Sequence, residues 1–237
     1  MATAAIPALD LDPAHSQQAY QRRWWILGVL CFCLLVVSID NTILNVALPT
    51  LVEELHASAS QLQWIVDAYT LVFASLLLTA GTMGDKFGRR GALMVGLLVF
   101  GTGSAISAFV GSASALIVMR GVMGLGGAFI MPSTLSILTN VFPSGERARA
   151  IGIWAGVSGL GVALGPLTGG FLLEHFWWGS VFLVNVPVVI VAVTATWFIV
   201  PRTKDPTDPK LDMVGTVLSA VGLFAALYAI IEGPSQG

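Results

Sequence analysis

The sequence predicts an all-α fold, a polytopic bundle of transmembrane helices, and three observations predict it. Hydrophobic residues make up 56% of the 237-residue chain and charged residues only 10%, against about 25% charged in an ordinary soluble domain. A water-soluble fold of this size leaves too much of its chain exposed to hide that apolar surface, so the bilayer is the expected solvent. Seven apolar stretches reach the roughly 20 residues that a bilayer-spanning helix needs. The basic residues fall in alternating connections between those stretches, as the positive-inside rule expects. The formal net charge of -2 points to no nucleic-acid partner.

The elements follow in chain order. Residues 1–23 form a polar tail with Pro7 and Pro13, expected to be disordered and cytoplasmic, that ends in Arg22 and Arg23. The arginines resemble the start of a signal peptide, but the apolar run behind them is too long, so it reads as a retained first span. Six spans are expected at 24–49, 62–82, 91–111, 114–139, 148–173 and 180–200. A cytoplasmic linker at 201–211 leads to a seventh span at 212–231 and a short external end at 232–237. Ten of the 11 basic residues occupy the tail, the connections 83–90 and 140–147 with the adjoining Arg149, and the linker. The opposite connections, 50–61 and 174–179, carry Glu53, Glu54, His56, Glu174 and His175 but no Lys or Arg. This alternation predicts a multi-pass protein of the cell membrane with a cytoplasmic N-terminus. Cys31 and Cys33 lie two apart inside an apolar run, on nearly opposite helix faces, and read as packing residues. Trp177, Trp178 and Trp197 read as interface anchors.

A faint internal echo runs through the six spans. Pro49-Thr50-Leu51 closes span one, and Pro132-Ser133-Thr134-Leu135 lies late in span four. Gly81 and Asp85 end span two, and Gly170 and Glu174, with the same spacing, end span five. Partners separated by three spans face opposite sides of the membrane, the pattern of an inverted three-plus-three repeat.

The remaining basic residue, Arg120, lies inside span four, and two acids, Asp40 and Asp67, lie inside spans one and two. Each costs about 2.5–3.5 kcal/mol at a helix centre on insertion scales, so intramembrane charges are functional candidates by default. At 1.5 Å per residue all three sit roughly 8–14 Å below the outer surface, which points to a shared polar chamber. Asn41, Thr42 and Asn45 add polar surface beside Asp40. Arg120 could simply neutralise one acid in a pair that locks helices together. Two acids against one arginine still leave one carboxylate without a formal partner, free to exchange a proton or hold an organic cation.

Two further patterns are built rather than merely apolar. Gly161, Gly165 and Gly169 recur at i, i+4, i+8 on span five, giving a smooth face for close helix approach, with Gly170 beside it. Pro166 adds a possible bend in that span, because it removes a backbone donor. Between spans two and three, Gly81, Gly84 and Gly88 permit tight turns, while Arg89 and Arg90 can pair with Asp85 or with lipid phosphate. Gly124, Gly126 and Gly127 resemble a nucleotide loop only superficially, since no strand precedes them. His15, His56 and His175 are not placed with Cys or acids as a metal site, and no nucleophile–base arrangement points to an enzyme.

Residues 81–93 resemble the motif between spans two and three of the major facilitator superfamily, and the run from Arg120 to Ser133 resembles its span-four motif. Gly161, Gly165, Pro166, Gly169 and Gly170 are similar to the span-five motif of its antiporters. The segments 40–49, 64–69 and 182–187 are similar to the 14-span drug:proton antiporters, including quaternary-ammonium exporters. The resemblance implies the N-terminal six-helix half of such a protein plus a seventh span. It implies proton-coupled export of hydrophobic or cationic drugs, with Asp40, Asp67 and Arg120 in coupling and substrate binding. It implies no cofactor, the proton gradient being the energy source, and a missing C-terminal half as partner, so the chain is expected to be a fragment. The alternatives are export of an endogenous metabolite, lipid or siderophore, or a truncated membrane protein that does not transport.

Overall fold

The computed structural model describes residues 13–203 and 213–236. The described residues are helical throughout apart from short joints. The helices are α1 (Pro13–Gln21), α2 (Arg23–Leu55), α3 (Ala59–Phe87), α4 (Arg89–Ser107), α5 (Ala113–Val141), α6 (Ser144–His175), α7 (Ser180–Leu183), α8 (Asn185–Ile199) and α9 (Met213–Gln236). Among the described residues, six stretches are long and apolar enough to cross a membrane: α2, α3, α4, α5, α6, and α7 and α8 taken together.

Local chemistry sets the joints. Ser58 and Gln61 form a reciprocal capping box at the start of α3, satisfying two of the amides a helix start leaves free. The Ser112 hydroxyl accepts from the Ala115 amide at 3.3 Å and opens α5. The expected loop between spans two and three is almost entirely helix. Only Gly88 separates α3 from α4, and its φ of +117° lies where side chains are strained and glycine is not. The sixth span breaks at Val184, between α7 and α8. Pro187 follows three residues later and has no N–H for the Leu183 carbonyl, which weakens the helix there.

The expected disorder of the tail does not hold for residues 13–21, which form α1. Ala19 is buried, and Arg23 donates to the Tyr20 carbonyl at 2.8 Å with its guanidinium 4.0 Å from the Tyr20 ring centre. These contacts tie the segment to the start of α2. Residues 1–12 and most of the 201–211 linker lie outside the described residues.

The most extensive packing joins α3 to α5, α4 to α5, and α2 to α6. Swapping the first three spans for the second three exchanges the α2–α6 contact with the α5–α3 contact, the relation an inverted repeat requires. Small residues make these approaches possible. A methyl group on Gly124 would lie 2.5 Å from the Tyr69 carbonyl oxygen, and one on Gly126 would lie 2.6 Å from the Phe100 amide. The glycine face of α6 packs on α2: a methyl at Gly161 would run into Ser38, at Gly165 into Thr42, and at Gly169 into Ile43 at 2.9 Å. Pro166 lies exposed on the other side of α6, and the helix is continuous through it. α9 packs on α3.

Candidate functional site

Asp40 and Arg120 meet in the centre of the bundle, with exposures of 0% and 1%. Arg120 Nη1 donates to Asp40 Oδ2 at 2.6 Å. An ion pair removed from water persists only when its remaining hydrogen-bonding groups are also met, and here two other helices supply partners. Asn185 Nδ2, on α8, donates to Asp40 Oδ1 at 2.7 Å. Arg120 Nε donates to the Ile65 carbonyl of α3 at 3.1 Å, and the guanidinium carbon lies 4.5 Å from the Tyr69 ring centre. Asn185 also donates to Ser104 Oγ of α4 at 3.0 Å, and Ser104 donates to the Phe182 carbonyl at 2.8 Å. One carboxylate thereby ties together α2, α5 and α8, with α3 and α4 bracing its partners.

The other residues singled out in the sequence are distributed differently. Asp67 is half-buried, and it makes no ion pair or hydrogen bond with the described residues. It is the carboxylate left over when one arginine faces two acids. Asn41 donates back to the Val37 carbonyl at 3.0 Å. Thr42 donates to the Ser38 and Ile39 carbonyls, each at 3.1 Å, and approaches the Gly161 carbonyl at 3.4 Å. It therefore sits in the α2–α6 seam rather than against Arg120. Asn45 is exposed.

The residues around the Gly88 joint form a second polar centre. Asp85 Oδ1 accepts from Arg89 Nε at 2.7 Å and from Ser136 Oγ of α5 at 2.8 Å. A Cβ on Gly81 would stand 3.5 Å from Pro132, and one on Gly84 would stand 3.4 Å from Ser133 Oγ. Arg89 N–H donates to the Thr203 carbonyl at 2.9 Å, and Arg90 Nη1 donates to the Val200 carbonyl at 3.2 Å. At the start of α6, Glu146 accepts from Arg23 at 2.8 and 3.2 Å. The Trp24 ring lies 5.2 Å from Phe142 and the same distance from the Arg149 guanidinium. These contacts gather the start of α2, the α3–α4 joint, the α5–α6 joint and the end of α8 at one basic end of the bundle.

Two members of the central site went unread in the sequence. The segment 182–187 was matched as a whole, but Asn185 was not singled out. Its signal was an amide in an otherwise apolar run two residues before Pro187. Tyr69 read as one more span residue, whereas its ring carries the guanidinium.

Six membrane-length helical stretches enclosing a fully buried acid–guanidinium pair define a multi-pass membrane protein with polar chemistry inside its bundle. Residues 30–233 match the family model of the Major Facilitator Superfamily, and the chain belongs to that superfamily of transporters, not to an enzyme family. It is 43% identical to the "Multidrug efflux pump LfrA" of Mycolicibacterium smegmatis, over 91% of this chain and 43% of that protein. It is 39% identical to the "Tetracenomycin C resistance and export protein" of Streptomyces glaucescens, over 91% of this chain and 40% of that protein. It is 41% identical to the "Methyl viologen resistance protein SmvA" of Salmonella typhimurium, over 88% of this chain and 42% of that protein. The chain thus spans less than half the length of these relatives.

Proposed function

We propose that the protein containing this chain exports hydrophobic or cationic compounds in exchange for protons, with Asp40 and Arg120 as the coupling pair and Asp67 as a further anionic group for substrate. The observation that carries this is the Asp40–Arg120 pair at 2.6 Å with Asp67 left unpaired among the described residues. A proton reaching Asp40 removes the charge that holds Arg120, so α2, α5 and α8 can change their arrangement. A bound cation and a bound proton neutralise the same class of carboxylate and therefore compete. The relatives' names, which describe efflux and resistance, support the export part of this reading. One charge moving down about 100 mV supplies roughly 2.3 kcal/mol, enough for more than a tenfold gradient at about 1.4 kcal/mol per decade. One proton exchanged for one monocation is electrically silent, so such a substrate draws on the pH gradient.

The test uses everted vesicles carrying the full-length protein, acidified inside, with a monocationic and a dicationic dye outside. Both dyes should accumulate and should leave when the pH gradient is collapsed. Asp67→Asn should slow the dication on the order of tenfold, about 1.4 kcal/mol, and the monocation less, because a second positive charge needs a second acid. Dye movement indifferent to the gradient would remove proton coupling from the proposal.

The proposal places the basic end of the bundle in the cytoplasm of the cell, and with it the N-terminus, because cytoplasmic connections carry the excess of Lys and Arg. A single cysteine at Lys86 should resist an impermeant thiol reagent applied to intact cells, and one at Glu53 should react. Equal labelling at the two positions would reverse or end this orientation.

A further inference from the structure

At the basic end, α4, the end of α8 and the segment after it enclose a cleft of about 520 Å³. Arg90, Arg202 and Thr203 line it together with Phe87, Met94 and Trp197. Three arginines elsewhere, Arg23, Arg89 and Arg120, each pair with an acid. Arg90 and Arg202 pair with none among the described residues, yet both face this one cleft. Like charges that converge without a counterion repel one another, so the cleft calls for an anion. The Thr203 side-chain hydroxyl is buried without a hydrogen-bond partner among the described residues, and the residue is only 5% exposed. A buried polar group left without a partner is destabilising unless a ligand or water supplies one. The first turn of α4 opens at the same place, through Arg90 and Gly91, and a helix start favours negative charge.

The rest of the wall is apolar and faces outward. Phe87 is 70% exposed, and Trp197, whose ring holds the Arg90 guanidinium at 4.8 Å, is 50% exposed. In a membrane protein such a face meets acyl chains. We infer that this cleft binds one anionic phospholipid, its phosphate held by Arg90, Arg202 and the Thr203 hydroxyl and its chains lying along Phe87, Met94 and Trp197. The site is separate from the Asp40–Arg120 pair and does not rest on the export reading. Its occupant bridges α4 to the end of α8, so binding also braces the joint at Gly88, where the Arg89 amide already bonds Thr203.

The experiment is native mass spectrometry of the intact, delipidated protein titrated with phosphatidylglycerol, phosphatidylcholine or inorganic phosphate. One phosphatidylglycerol should be retained in preference to phosphatidylcholine, and inorganic phosphate should not displace it. Each arginine should be worth about fivefold in affinity, so Arg202→Gln should weaken binding about fivefold and Arg90→Gln/Arg202→Gln about 25-fold. Thr203→Val, which keeps the buried shape, should weaken it a few-fold. Arg202 is exposed, so its replacement tests the site without endangering the fold. Unchanged phosphatidylglycerol affinity in the Arg202→Gln and double variants would overturn the assignment. Equal retention of phosphatidylcholine, or displacement by inorganic phosphate, would overturn it as well.

Discussion

Arg120→Ala is expected to abolish proton-coupled efflux by the full-length protein and to destabilise it by about 3–5 kcal/mol, the usual cost of stripping one partner from a buried pair. Net stabilities of folded domains run at about 5–15 kcal/mol, so lost transport alone would not separate coupling from folding. Arg120 makes three contacts at once, to Asp40 Oδ2, to the Ile65 carbonyl and to the Tyr69 ring. Arg120→Lys keeps the charge but not the planar fork that reaches all three, so it should fold and retain a fraction of transport. The double variant Asp40→Leu/Arg120→Met removes both charges while filling the space. Such replacements are often neutral or stabilising, so its melting temperature in detergent should recover toward wild type while its efflux stays at background. Wild-type efflux by a well-folded Arg120→Ala protein would sink the coupling role. Wild-type efflux by the double variant would show that the pair is only a structural lock.

Much of the architecture was legible because a membrane imposes a simple rule on sequence. Apolar length reports helices, and alternating basic residues report ends. Where the reading failed, it failed on local geometry. The connection 83–90 looked like a loop because it is rich in glycine and charge, yet a single residue at positive φ suffices to turn the chain there. The tail looked disordered by composition, but Tyr20 finds a partner in Arg23 and Ala19 is buried, which composition does not register. The depth arithmetic placed Asp40, Asp67 and Arg120 on one level. Depth gives position along a helix but not rotation about it, so it could not say which acid faces Arg120. Asn185 was illegible for a related reason. Its partner lies 145 residues away, and one amide in an apolar helix carries no mark of what it will meet.

The same geometry makes Asp40→Asn the sharpest test of the roles assigned to the two acids. Asp40 accepts on both oxygens, from Arg120 on one and from Asn185 on the other. An asparagine offers one oxygen and one NH₂ group, so one of the two donors would face another donor in a fully buried place. The change also leaves the Arg120 charge unneutralised, whereas Asp67→Asn removes no hydrogen bond or ion pair within the described residues. Asp40→Asn should therefore remove pH-gradient-driven efflux of mono- and dicationic dyes alike. Asp67→Asn should fold normally and lose mainly the dications. Asp40→Glu keeps both acceptor oxygens on a longer stem and should retain some activity. Asn185→Leu leaves the carboxylate and its arginine in place but removes the donor on Oδ1. Its efflux should fall less than that of Asp40→Asn, and Asn185→Gln should restore part of it. The measurement is dye accumulation in everted vesicles under an imposed pH gradient, with membrane expression and melting temperature matched among the variants. If Asp40→Asn exports like wild type while Asp67→Asn is dead for every dye, the unpaired acid carries the proton and the buried pair only holds α2, α5 and α8 together.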